Sequence, residues 1–85
     1  MEWDDAKSEE NRLIRGFGFE IAYEFDWANA VFRQADRRDY GERRYIAFGW
    51  ARQRRLAIVY TNRPSGLRII SVRGMHDKEA RKYGI

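Results

Sequence analysis

The chain of 85 residues contains no cysteine, one proline and one histidine, and each shortage closes off a class of protein. Without cysteine there is neither a disulfide framework nor a thiolate metal site, so a small secreted scaffold is excluded and a reducing cytoplasm is the expected setting. A lone histidine among scattered acids gives no recognisable ligand spacing, so neither a metal nor another cofactor is expected. No apolar run approaches the ~20 residues that cross a bilayer. The opening Met1-Glu2-Trp3-Asp4-Asp5 is acidic where a signal peptide would be basic, which predicts a soluble, unexported protein with no membrane partner. The seven glycines form no phosphate-cradling loop, and Gly16-Phe17-Gly18 reads as a turn.

What is present suits one small globular domain. Hydrophobic residues make up 44% of the chain, with three Trp, five Tyr and five Phe, and charged residues make up 35%. That supports one core, and residues 1–85 are expected to form one domain. The net charge of +4 hides a division. Residues 1–30 carry three bases against eight acids, whereas residues 31–85 carry fourteen bases against five acids, a balance of +9. The later two-thirds is therefore the side expected to meet a polyanion. Fourteen of the seventeen bases are arginine, whose planar fork grips phosphate in a bidentate manner.

The periodicity changes once along the chain. Asp4 or Asp5 can cap a helix over Ala6–Arg15 that stops at Gly16, and Phe19, Ala22 and Tyr23 suggest a second short helix over roughly 19–26. From Ala30 the period becomes two. Strands are predicted at Val31–Ala35, Arg44–Ala51, Leu56–Thr61 and Leu67–Arg73, separated by a loop over Asp36–Gly41 and by turns at Arg52–Arg55 and Arg63–Gly66. Asp77 then caps a terminal helix over Lys78–Tyr83. The expected fold is α+β: two N-terminal helices packed on a four-stranded, mainly antiparallel sheet, with a short C-terminal helix. Parity suggests that Ile46-Phe48-Trp50, Leu56-Ile58-Tyr60 and Ile70-Val72 lie under the helices, leaving Tyr45, Ala47, Gly49, Thr61, Ser71 and Arg73 on the other face.

Five ordered blocks resemble the BrnT toxins. They are Trp3-Asp4-x-x-Lys7-x-x-x-Asn11, Gly16-x-x-Phe19-Glu20-x-Ala22, Asp39-Tyr40-Gly41-Glu42-x-Arg44-Tyr45, Val59-Tyr60-Thr61-x-Arg63 and Arg68-Ile69-Ile70-Ser71-x-Arg73. The likeness runs nearly end to end. It departs at Ile14-Arg15, where the family usually has Lys-His, and at Arg73-Gly74-Met75, where it has Arg-Lys-Ala. The resemblance implies a RelE-like fold, a metal-independent endoribonuclease that arrests translation, and neutralisation by a BrnA-like antitoxin with a ribbon-helix-helix domain in a toxin–antitoxin hetero-oligomer.

Metal-free RNA cleavage needs a base for the ribose 2′-OH, cations for the charge building on phosphorus, and an acid for the leaving oxygen. Arg73 and Arg63 are the first choices for phosphate stabilisation, the alternative being ordinary edge charges. His76 and Tyr83, seven residues apart, are proton-transfer candidates, and the likeness to RelE-like ribonucleases supports that terminal region. They could instead be a surface imidazole and a helix anchor. Glu42 is a candidate base or a partner for an arginine in its own loop. Lys7, Arg44 and Arg68 are candidate substrate-binding positions, although Lys7 could as well be a solvated charge. Trp3, Trp27 and Trp50 read as packing residues, with base stacking an alternative for Trp50. A non-catalytic nucleic-acid-binding module or an antitoxin-docking module would use the same basic sheet.

Overall fold

The computed structural model describes residues 1–35 and 41–85. Helix α1 spans Asp5–Arg15, strands β1 to β4 span Val31–Gln34, Tyr45–Ala51, Arg54–Arg63 and Gly66–Gly74, and helix α2 spans Asp77–Tyr83. The four strands form one antiparallel sheet in the order β1-β2-β3-β4. Of the loop expected over Asp36–Gly41, only Gly41 falls among the described residues.

Both ends of α1 carry the expected chemistry. The Asp4 carboxylate accepts from the Ala6 and Lys7 N–H groups at 2.9 and 3.1 Å, and Gly16 closes the helix with φ at 90°, a left-handed conformation that favours glycine. The Ser8 hydroxyl, buried on the inner side of α1, accepts from the Phe19 N–H at 2.8 Å. Asn11 Nδ2 donates to the Phe17 carbonyl at 3.0 Å, fixing the intervening turn.

The expected second helix is not an α-helix. Residues Phe19–Tyr23 and Trp27–Asn29 form two short 3₁₀ turns. Three residues per turn place Phe19, Ala22 and Phe25 in one line, and all three are buried. Gly18 offers no side-chain cap, and the Asp26 N–H bonds to the Trp50 carbonyl of the sheet at 2.9 Å instead of continuing a helix. Tertiary packing thus overrides the local α signal.

The sheet also corrects the expected faces. Residues directly opposite in antiparallel strands share a face, and Ala47 pairs with Ile58, Gly49 with Leu56 and Tyr45 with Tyr60. Tyr45, Ala47 and Gly49 therefore lie on the core side, while Ile46, Phe48 and Trp50 lie on the other. On β4 a bulge inserts Ile70, since Val59 pairs with Ser71 but Tyr60 pairs with Ile69. The extra residue lets Ile69 and Val72 both enter the core and turns Arg68 to the face that carries Ser71 and Arg73. Strict alternation places Arg68 and Arg73 on opposite faces; the bulge brings them to one.

The core lies between the first 3₁₀ turn and the inner face of the sheet, where Phe17, Phe19, Ile21, Ala22 and Phe25 meet Ala47, Leu56, Ile58, Tyr60, Ile69 and Val72. Trp27 joins its edge, ring against ring with Phe25 and Tyr60. The outer face is covered in part by α2, whose Tyr83 ring stacks on Phe48 with centroids 4.7 Å apart. Beyond β4, Glu2 adds one parallel bridge, its N–H donating to the Leu67 carbonyl at 2.9 Å and its carbonyl accepting from Ile69 at 2.8 Å.

Candidate active site and nucleic-acid interface

The outer face collects arginines because the period-two pattern of three strands repeats them there. Cross-strand pairing puts Arg33 in line with Ile46, Val59 and Ser71, and Arg73 in line with Ala57, Phe48 and Val31. Arg55 pairs with Trp50, and Arg68 with Thr61. With Arg63, two residues beyond Thr61, five guanidinium groups share one side of the sheet.

The densest part lies where β4 hands over to α2. Arg73 Nη1 and Nη2 donate to Glu79 Oε1 and Oε2 at 2.9 and 2.8 Å, a bidentate pair in which each side chain is 22% exposed. Glu79 Oε1 also accepts from the His76 N–H at 2.9 Å and lies 3.7 Å from His76 Nδ1. Its hydrogen bonds to Arg73, then burial acting in the opposite sense, then the His76 N–H, leave its pKa lowered to about 2. Glu79 is therefore a fixed carboxylate at neutral pH, unsuited to delivering a proton. It orients a cation on one side and the start of α2 on the other. The Arg33 guanidinium lies 4.9 Å over the Tyr83 ring, and Tyr83 in turn rests on Phe48. Arg73, His76 and Tyr83 are thus brought onto one side of the sheet by α2.

Glu42 and Arg63 are placed elsewhere. They pair with each other at 3.4 Å near the far end of β3, six residues from Ala57, the partner of Arg73, and so roughly 20 Å along the strand. Arg68 bonds Glu2 at 3.2 Å, and Ser65 Oγ donates to the same carboxylate at 2.7 Å. These contacts hold the Glu2 pKa below its ordinary value, the Ser65 bond being the largest cause. Arg44 directly precedes β2, half-buried, its carbonyl accepting from the Ala35 N–H at 2.8 Å. Lys7 is exposed on α1, which packs against the first 3₁₀ turn on the core side, away from α2. Of the eight positions singled out in the sequence, three gather at α2, three line the opposite end of the sheet, one enters β2 and one lies behind it.

Two residues of the site have no obvious sequence mark. Glu79 is legible only as the third residue after His76, the spacing at which a Glu side chain reaches back to a helix cap. Arg33 belongs to a four-residue edge strand, and only folding shows that Tyr83 lies beneath it.

An α+β domain with one arginine-lined sheet face, capped by a helix that carries a histidine and a tyrosine, defines the class. Within that class the chain belongs to the BrnT family: residues 3–79 match the model of the ribonuclease toxin, BrnT, of type II toxin–antitoxin systems. No individual curated protein matches it.

Proposed function

We propose that this protein is a metal-independent endoribonuclease toxin that arrests translation in the cytoplasm. In this reading it has a RelE-like fold and is silenced in a hetero-oligomer by a BrnA-like ribbon-helix-helix antitoxin. The observation that carries it is the Arg73–Glu79 pair with His76 against the same carboxylate, on the basic face that Tyr83 of α2 also covers. Family membership supports the ribonuclease class.

In this mechanism the scissile phosphate displaces Glu79 from part of the Arg73 fork, while Arg33, on the opposite edge strand, holds the Tyr83 ring. A ribose 2′-OH gives up its proton and attacks phosphorus, and the 5′-oxygen leaves carrying a proton, giving a 2′,3′-cyclic phosphate and a 5′-hydroxyl. The extra negative charge exists only during that passage, so a guanidinium placed there gains most in the transition state. The His76 imidazole has ring nitrogens that can accept and donate a proton, and the Tyr83 hydroxyl can donate a hydrogen bond to the phosphate or the leaving group. Arg63 with Glu42, Arg68 and Arg44 lie along the strand's path as positioning charges, and Lys7 contacts RNA only outside that path.

The test is cleavage and binding of one RNA by folded variants. Arg73→Ala is expected to cut on the order of 10²-fold more slowly with a modest loss of affinity, and His76→Ala to lose the part of the pH–rate profile that an imidazole contributes. Undiminished cleavage by Arg73→Ala overturns the assignment and moves it to Arg68. Binding without cleavage by the unaltered protein favours a non-catalytic module.

A further inference from the structure

Strand β4 ends at Gly74, but the β2–β3 hairpin runs on, and a cleft of about 450 Å³ opens beside that overhang. Its walls are Phe17 and Leu56 from the core end, Trp50, Arg54 and Arg55 from the hairpin, and Met75, Asp77 and Ala80 from the approach to α2 and its first turns. The volume falls in the ~300–1,000 Å³ range of small-ligand sites. Trp50 is 42% exposed although it is the most costly side chain to leave in water on this face, and the Arg55 guanidinium lies 4.9 Å over its ring. On its other side Trp50 walls a second cavity, with Asp26, Asn29, Gly49, Gly84 and Ile85. An exposed indole between two cavities, with a planar cation stacked on it, is the platform on which nucleic-acid bases stack.

The position relative to the phosphate site matters as much as the composition. Trp50 lies two residues beyond Phe48 on the same face, a step of roughly 7 Å, and Gly74, at the cleft, directly follows Arg73. A strand whose phosphate is held at Arg73 can therefore turn its adjacent base into the cleft.

Resting on the ribonuclease reading above, we propose that this cleft is a nucleobase subsite that prefers guanine. Trp50 and Arg55 supply the stacking surface and Asp77 the edge recognition. A carboxylate only accepts, and guanine is the base that offers two neighbouring donors on its Watson–Crick edge, the ring N–H and the exocyclic amino group. Adenine and cytosine set one amino donor beside a ring acceptor that a carboxylate repels, and uracil sets one N–H between two carbonyl oxygens.

The experiment titrates the whole protein separately with GMP, AMP, CMP and UMP and follows the three indole N–H resonances, the Trp50 signal being the one missing from Trp50→Phe. The expected result is a saturable Trp50 shift with GMP at about tenfold lower concentration than with the others. Trp50→Ala, which lacks the reporter and is therefore titrated by calorimetry beside the native protein, should weaken GMP binding by about tenfold, the effect of losing a stacked aromatic. Asp77→Asn should erase the preference for GMP while the shift persists. Equal affinity for all four nucleotides, a preference that survives Asp77→Asn, or a Trp50 signal that moves only when the antitoxin is added each overturn the proposal. RNA cleavage without GMP binding sinks the subsite alone; GMP binding without cleavage sinks the ribonuclease reading and leaves the subsite standing.

Discussion

The Arg73 guanidinium and the Glu79 carboxylate face each other across two hydrogen bonds of 2.9 and 2.8 Å, joining the last strand to the terminal helix. The pair makes the basic face partly self-neutralised, so a phosphate must compete with a carboxylate for the cation. It also ties the orientation of Arg73 to the integrity of α2, a helix of only seven residues that is too short to persist alone.

Glu79 should make the fold acid-sensitive. A carboxylate whose folded pKa lies near 2, against an ordinary 4.5, contributes stability that is fully present above pH 4.5 and drains away as pH falls towards 2. The contribution at neutral pH is on the order of 2–3 kcal/mol. Urea unfolding at steps from pH 7 to pH 2.5 should show this slope in the native protein and a much shallower one in Glu79→Gln. Parallel curves for the two proteins would mean that the pair contributes nothing to folding.

Affinity for single-stranded RNA should fall with salt, each phosphate contact adding about 0.7 to the slope of log affinity against log salt. Arg68→Ala should lower that slope by about one contact and leave the cleavage rate at saturating RNA nearly unchanged. A slope that is flat in the native protein would assign the basic face to a protein partner.

Gly49 sits under a ring. A Cβ there would meet Phe25 Cζ at 2.9 Å and Cε1 at 3.3 Å, and Phe25 is buried and has little room to yield. Gly49→Ala is expected to cost about 1–3 kcal/mol, and combining it with Phe25→Leu should recover part of the loss. Additive effects of the two substitutions in denaturant titrations would count against this contact.

The β2–β3 turn carries left-handed backbone at Arg52 and Gln53, with φ of 49° and 63°. A two-residue hairpin of this kind favours Asn-Gly, since each ordinary residue held there costs about 1–2 kcal/mol. Arg52 is retained by its ion pair with Glu24, with Nε bonds of 2.9 and 3.0 Å, whereas Gln53 makes no comparable contact among the described residues. Gln53→Gly should therefore raise the unfolding free energy by about 0.5–1 kcal/mol at an unchanged denaturant slope, and a drop would show that the turn is not strained.

Ser8 anchors α1 through one buried bond to the Phe19 N–H. Replacing it with alanine leaves that donor buried and unsatisfied, at a cost of about 1–3 kcal/mol. Thermal unfolding of Ser8→Ala measures it; a midpoint equal to that of the native protein would mean that water replaces the hydroxyl.

The sequence by itself determined what local chemistry can encode. Asp4 and Gly16 bound α1 because a carboxylate satisfies free N–H groups and glycine accepts positive φ. Alternation from Val31 onward produced the four antiparallel strands, and the surplus of arginine marked the sheet as the basic part. Only the tertiary structure decided which face those arginines share. The bulge at Ile70 depends on how β4 meets β3, and one inserted residue reverses the side on which every earlier residue of that strand projects. The segment 19–29 took two 3₁₀ turns because burying Phe19, Ala22 and Phe25 against the sheet outweighed an α preference too weak to nucleate. Glu79 and Arg33 became part of the site only when α2 folded back over Phe48. The distance between residues 33 and 83 in the chain says nothing of it, and the stacking of Tyr83 between Phe48 and Arg33 fixes it.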